Sequence, residues 1–128
     1  MRPIAFIFPI TTAVIFFQAV TGAATVLAFY DFNLHMDTGY LVGVLALASA
    51  AVAFGRKPKY NTLRYASLVL FVLVVLQGLI GFMAETSDEI VVVHFTNALL
   101  VYGSAIATLI YSLRWGKMGT APAPPSQT

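Results

Sequence analysis

Four stretches of the chain are almost wholly apolar, at residues 4–29, 34–54, 63–84 and 90–115. Each is long enough, at about 1.5 Å per residue, to cross a hydrocarbon layer of about 30 Å as a helix. The polar interruptions are short: residues 30–33, then GRKPKYNT, then ETSDE. Connections of this length make sequential helices antiparallel neighbours, so the pattern predicts an all-α, four-helix up-down-up-down transmembrane bundle. Asp31 or Asn33 can cap the second helix, and Thr86 with Glu89 three residues later has the form of a capping box for the fourth. Residues 1–118 thus form one helical domain. The proline-rich tail at 119–128 has no periodicity and is expected to be extended.

Composition agrees with this pattern. The chain is 59% hydrophobic and 9% charged, with a mean hydropathy of +0.87, whereas about a quarter of the residues of a soluble domain are charged. Nearly all of its 128 residues are used by the four runs, which leaves little for a soluble catalytic domain. Cysteine is absent, which excludes disulfides, thiolate metal sites and cysteine nucleophiles. Arg2 followed by an apolar stretch and small residues at Gly22, Ala23 and Ala24 resembles a signal peptide. The run continues to Phe29, however, and the first helix is expected to be retained.

Charge sorts by side. Arg2, Arg56, Lys57, Lys59, Arg64, Arg114 and Lys117 lie at the N-terminus, the middle connection and the C-terminal end, and Asp31, Asp37, Glu85, Asp88 and Glu89 lie at the other two connections. Basic flanks stay cytoplasmic, so both termini are expected inside and the chain is a multi-pass protein of the cell membrane. The net charge of +2 reports that orientation. It does not signal nucleic acid, because the basic residues flank membrane spans.

A repeat is superposed on the four runs. A shift of 59 residues carries Gln18 onto Gln77, Gly22 onto Gly81 and His35 onto His94, along with Leu41 onto Leu100, Val42 onto Val101, Ala46 onto Ala105 and Ala48 onto Ala107. The polar matches carry more weight, since the chain has two histidines in all. A two-helix hairpin moved by an even number of crossings keeps its orientation, so residues of about 10–54 and 69–113 are parallel repeats. Both histidines then lie toward the outer side on the second and fourth helices, with His94 up to a turn deeper.

Polar side chains within spans are costly and face the bundle interior. Three readings of the histidine pair compete. Each ring could bond a neighbouring helix. The pair could join an outer carboxylate at a mononuclear metal. Or the pair could bind haem, whose macrocycle leaves two axial positions for protein, so that two histidines are a complete ligand set. In the haem reading Gly22 and Gly81 let the ring edge approach, and Gly39 and Ala98, each four residues after a histidine, sit one turn inward on the same face. Ala46, Ala50, Ala53 and Ala105 continue those faces as a small-residue strip that suits either a porphyrin or tight helix packing. Gln18 and Gln77 bond within the pocket or across the bundle.

A helix ending in QxxxG followed by one opening on a histidine, duplicated, resembles one half of the haem A synthase family over residues 10–113. Members usually have eight helices in two such halves, one holding a haem b cofactor and the other binding the haem substrate; compact single-half relatives occur. The resemblance implies that His35 and His94 are the axial pair in the manner of the cofactor half. Phe32 stands where the catalytic half has a glutamate, three residues before the histidine, and Val91 holds the matching position before His94. The outer cysteine pair of the family is also missing. Asp31 is a substitute for the acid or simply a cap.

These observations lead to the expectation of a b-type cytochrome carrying one bis-histidine haem b. It would transfer single electrons as a small subunit of a respiratory complex, beside other membrane subunits, rather than act as a stand-alone enzyme. The outer acids would receive a basic redox partner by steering. No Lys or Arg faces that side, so Tyr30, Asn33 or backbone amides would have to serve the propionates. The alternatives are a half-length haem A synthase-like enzyme that modifies haem, and a structural subunit without haem.

Overall fold

A computed structural model describes residues 4–27, 32–55, 61–84 and 87–118. Four helices follow in order: α1 (Ile4–Val26), α2 (Phe32–Phe54), α3 (Asn61–Met83) and α4 (Asp88–Met118), with no strand among the described residues. All four are long and apolar enough to cross a membrane. α1 packs on α2 and α4, and α3 packs on the same two helices, so α2 and α4 face each other across a diagonal of the bundle. This is the expected bundle of two parallel hairpin repeats in a multi-pass membrane protein.

The helices are apolar on nearly all sides, which suits surroundings of lipid rather than water. Large apolar side chains point outward from each of them, among them Phe16 on α1, Val44 on α2, Leu79 on α3 and Leu99 on α4. Equivalent positions of the two repeats share an environment. Val42 and Val101 are buried, as are Ala46 and Ala105, whereas Leu41 and Leu100 face out.

Two apolar layers hold the bundle. The central one gathers Ile15, Val42, Ala46, Leu70, Val74, Val101 and Ala105. The second, toward the chain termini, is built on Phe8, Ala53 and Leu63. Ala46, Ala53 and Ala105 are fully buried in these layers. The small-residue strip therefore serves close helix packing, the use that membrane interfaces commonly make of such residues. Hydroxyls add interhelical bonds: Thr11 Oγ1 and Ser49 Oγ are 2.9 Å apart, and Thr12 Oγ1 donates to the Ala105 carbonyl at 3.3 Å.

The helix ends depart from expectation in detail. α2 begins at Phe32, which puts Asn33 inside the helix rather than at its cap; Asp31 lies outside the described residues. At α4 the cap is Ser87, whose Oγ accepts the Ile90 N–H at 3.4 Å while its carbonyl accepts the Val91 N–H at 3.3 Å. The first helical residue is Asp88, so the residue just before it caps, one position later than the expected Thr86, itself outside the described residues. Asp88 and Glu89 then sit in the first turn, where the helix dipole favours negative charge. At the opposite end, Arg64 of α3 closes the C-terminus of α2, with Nε 3.4 Å from the Ala53 carbonyl and Nη2 3.2 Å from that of Phe54. Tyr30, Phe29 and the tail at 119–128 fall outside the described residues.

Candidate functional site

His35 is the fourth residue of α2 and His94 the seventh of α4. The offset is absorbed because α4 starts about one turn earlier, and the two imidazoles meet at one level across the bundle diagonal. Their ring centres are 6.3 Å apart and their planes lie at 79°. A metal ion bonded to two opposed imidazoles at about 2 Å, with each ring centre about 1 Å beyond its nitrogen, separates the ring centres by about 6 Å. The observed centre-to-centre spacing is of that size, with the Cε1 edge of each ring turned toward α1 or α3. Among the described residues no group of three His, Cys, Asp or Glu side chains comes together, so the two-histidine, one-carboxylate arrangement has no third ligand there.

Each ring rests against the preceding helix where a glycine leaves space. A Cβ built on Gly22 would stand 2.7 Å from His35 Cε1, and one on Gly81 would stand 3.0 Å from His94 Cε1. The glycines thus make room for the imidazoles. Gly39 has a different neighbour: a Cβ there would meet Gln18 Nε2 at 3.1 Å, so this position accommodates the glutamine. Ala98, its counterpart, is partly buried on α4.

Both glutamines reach the histidine of the next helix. Gln18 Nε2 donates to the His35 backbone carbonyl at 2.9 Å and lies 3.5 Å from His35 Nε2. Gln77 Nε2 lies 3.0 Å from His94 Nε2 and 3.2 Å from Nδ1. The alternatives of bonding in the pocket and bonding across the bundle therefore merge, since the interhelical bond is made at the histidine.

Three further side chains complete the surroundings. Thr38 Oγ1 donates to Gln18 Oε1, and Asn97 Nδ2 donates to Gln77 Oε1 at 2.7 Å and to the Leu73 carbonyl at 3.1 Å. Thr21 Oγ1 lies 3.5 Å from His35 Nδ1. The shift of 59 does place Thr38 on Asn97, three residues after each histidine. Matching by identity passes over the pair because the two residue types differ. Thr21 has no polar counterpart, since Ile80 occupies its equivalent position. No buried side-chain nitrogen or oxygen among the described residues lacks a hydrogen-bond partner.

A pair of imidazoles is a donor set that haem takes; here the two rings stand across the bundle diagonal, the Cε1 edge of each turned to the glycine of the preceding helix, with amide groups around them. Comparison with known families reaches the same chemistry. The model of the cytochrome oxidase assembly proteins COX15-CtaA, the haem A synthase family, matches residues 33–128. The match takes in α2 to α4 with both histidines, Gln77, Gly81 and Asn97, and begins after Gln18 and Gly22 of α1. It supports a haem A synthase-like membrane protein, and so favours that alternative over the expected electron-carrying b-type subunit. No curated protein and no solved structure gives a significant match. Three quarters of a four-helix chain that brings its two histidines together thus fall within one family's pattern, and the chain belongs to the COX15-CtaA cytochrome oxidase assembly protein family.

Proposed function

We propose that this protein is a four-helix haem A synthase-like enzyme that binds one haem between His35 and His94 and oxidises a peripheral carbon of it, haem O being the substrate class. The observation that carries the reading is the 6.3 Å approach of two imidazoles from diagonal helices in a chain of this family. When bound, haem supplies an iron centre that exchanges single electrons and reacts with dioxygen. The chain's own residues bind and orient. His35 and His94 would hold the iron, Gly22 and Gly81 seat their rings against α1 and α3, and Gln18 and Gln77, held by Thr38 and Asn97, would orient the rings. The central aliphatic layer excludes water below the site. Gly39 acts through Gln18, and Ala98 keeps the α4 face small.

The arrangement of basic and acidic flanks supports a plasma-membrane orientation with both termini cytoplasmic and the histidines toward the outer leaflet. Dioxygen and an electron donor are the required co-reactants, and the donor is a neighbouring membrane subunit or a basic partner on the acidic outer side.

One observation favours a second reading, single-electron transfer through a permanently bound haem b. Phe32 and Val91 supply no acid at the positions where the resemblance puts the catalytic glutamate, and two imidazoles complete six-coordination. Incubating the purified protein with haem O, dioxygen and a reductant, then extracting and separating the pigments, decides between the two. Conversion to a more oxidised haem is expected. Unchanged haem with a sharp reduced α-band supports the second reading, and a protein that remains colourless overturns both.

A further inference from the structure

We infer that haem enters and leaves the bundle sideways, from the lipid, through the seam between α2 and α3, while the opposite seam between α1 and α4 stays shut. The inference rests on the haem reading above and assigns the route to that same site.

The doubled hairpin makes these two seams equivalent, since the shift of 59 relates α4 to α2 and α1 to α3. Their contents differ. In the α1–α4 seam Tyr102 stands against Phe16 with ring centres 6.0 Å apart, and Thr12 Oγ1 donates to the Ala105 carbonyl at 3.3 Å. An aromatic pair at such a distance attracts beyond the area it buries. The shift puts Gly43 in the place of Tyr102, Val75 in that of Phe16 and Phe71 in that of Thr12. The α2–α3 seam therefore has neither the ring pair nor the hydroxyl bond at these positions.

The space that the missing ring would fill is open. A Cβ built on Gly43, or on Gly78 of α3, meets nothing within 4 Å. Gly78 directly follows Gln77, and Gly43 comes eight residues after His35, so the gap adjoins the level of the histidine pair. Gly103 is equally open, but its counterpart Val44 is 65% exposed, which places that position on the lipid face and outside the seams. A flat macrocycle moving edge-on must stand about 3.5–4.0 Å clear of neighbouring carbons, and the two glycines provide a clearance of that size. Val75 and Leu79 beside the gap are exposed, so it faces the bilayer, where an apolar planar ligand dissolves.

Other approaches are obstructed. Inside each hairpin the glutamine reaches across to its histidine, and the aliphatic layer lies inward of both. Arg64 ties α2 to α3 at their basic ends, so these helices would part at the histidine end.

Because the chain has no cysteine, introduced pairs can bar one seam at a time. Full-length protein in lipid nanodiscs, carrying Gly43→Cys with Val75→Cys or Phe16→Cys with Tyr102→Cys, is bridged by a short thiol cross-linker that a reductant releases. Uptake of iron protoporphyrin IX is then followed by its Soret band, with far-ultraviolet circular dichroism as a check on folding. The α2–α3 bridge should slow uptake and its release should restore the rate, whereas the α1–α4 bridge should leave the rate unchanged. Gly43→Tyr with Val75→Phe, which copies the shut seam, should slow uptake about tenfold at unchanged final haem content, the rate equivalent of about 1.4 kcal/mol of added crowding. Normal uptake through a bridged α2–α3 seam overturns the inference, leaving lipid chains as the occupants of the gap and the outer end of the bundle as the way in. Equal slowing by the two bridges, slowing that release does not reverse, or an unaffected Gly43→Tyr, Val75→Phe variant overturns it as well, and each leaves the haem reading standing. A wild-type protein that takes up no haem overturns that reading, and this one with it.

Discussion

Gly22 of α1 and His35 of α2 approach so closely that a single added carbon on the glycine would lie 2.7 Å from the imidazole. Side chains that must share such a space shift off their rotamers or push the helices apart, at about 1–3 kcal/mol for one inserted carbon. Gly22→Ala should therefore lower both thermal stability in detergent and haem uptake. Gly81→Ala, whose added carbon would lie 3.0 Å from His94 Cε1, should do so by less. Equal effects of the two substitutions would contradict the described packing.

Arg64 ties the start of α3 to the end of α2 through the Ala53 and Phe54 carbonyls, while its Nη1 donates to Asn61 Oδ1 at 3.2 Å. These carbonyls have no partner within their own helix, and the guanidinium supplies both hydrogen bonds and a cation at the negative end of the dipole. Arg64→Ala should destabilise the bundle by about 1 kcal/mol, and Arg64→Lys should recover only part of it because the fork of donors is lost. Unfolding titrations in mixed micelles measure the difference.

Thr11 and Ser49 are fully buried and share a hydrogen bond of 2.9 Å between α1 and α2. Thr11 Oγ1 also has the Ile7 carbonyl at 2.8 Å, so losing Ser49 leaves it bonded. A double-mutant cycle of Thr11→Val and Ser49→Ala should give a coupling of about 0.6 kcal/mol, the usual size for such pairs in membranes. A coupling well above that would mean that the pair does more than pack.

Because the chain has no cysteine, single cysteines report sidedness without background. In intact cells a membrane-impermeant maleimide should label Thr86→Cys, in the acidic connection, and leave Ser126→Cys untouched until the membrane is opened. The reverse pattern would invert the proposed orientation and move the histidines to the cytoplasmic side.

Helix number, length and pairing were legible because apolar runs with short polar joints admit few other arrangements. The histidine pair was legible for a different reason: a doubled hairpin carries equivalent residues to equivalent depths, and His35 and His94 meet accordingly. What stayed hidden was the identity of the neighbours. That the imidazoles stand against Gly22 and Gly81 was not legible, since spacing along a helix does not reveal what the next helix brings there. Thr38 and Asn97 escaped notice because a hydroxyl and an amide can perform one task, donation to a glutamine oxygen, without being the same residue. The cap of α4 was missed by one position because Thr86 and Ser87 are adjacent and chemically alike, so that only the observed N–H···O contact separates them.

The seven side chains that fill the middle of the bundle, Ile15, Val42, Ala46, Leu70, Val74, Val101 and Ala105, are aliphatic without exception. A bridging water needs two to four polar partners, and this layer offers none from those side chains. Those seven side chains offer hydrogen ions no relay of their own, so proton exchange at His35 and His94 would be drawn toward the water on the histidines' own side of the membrane.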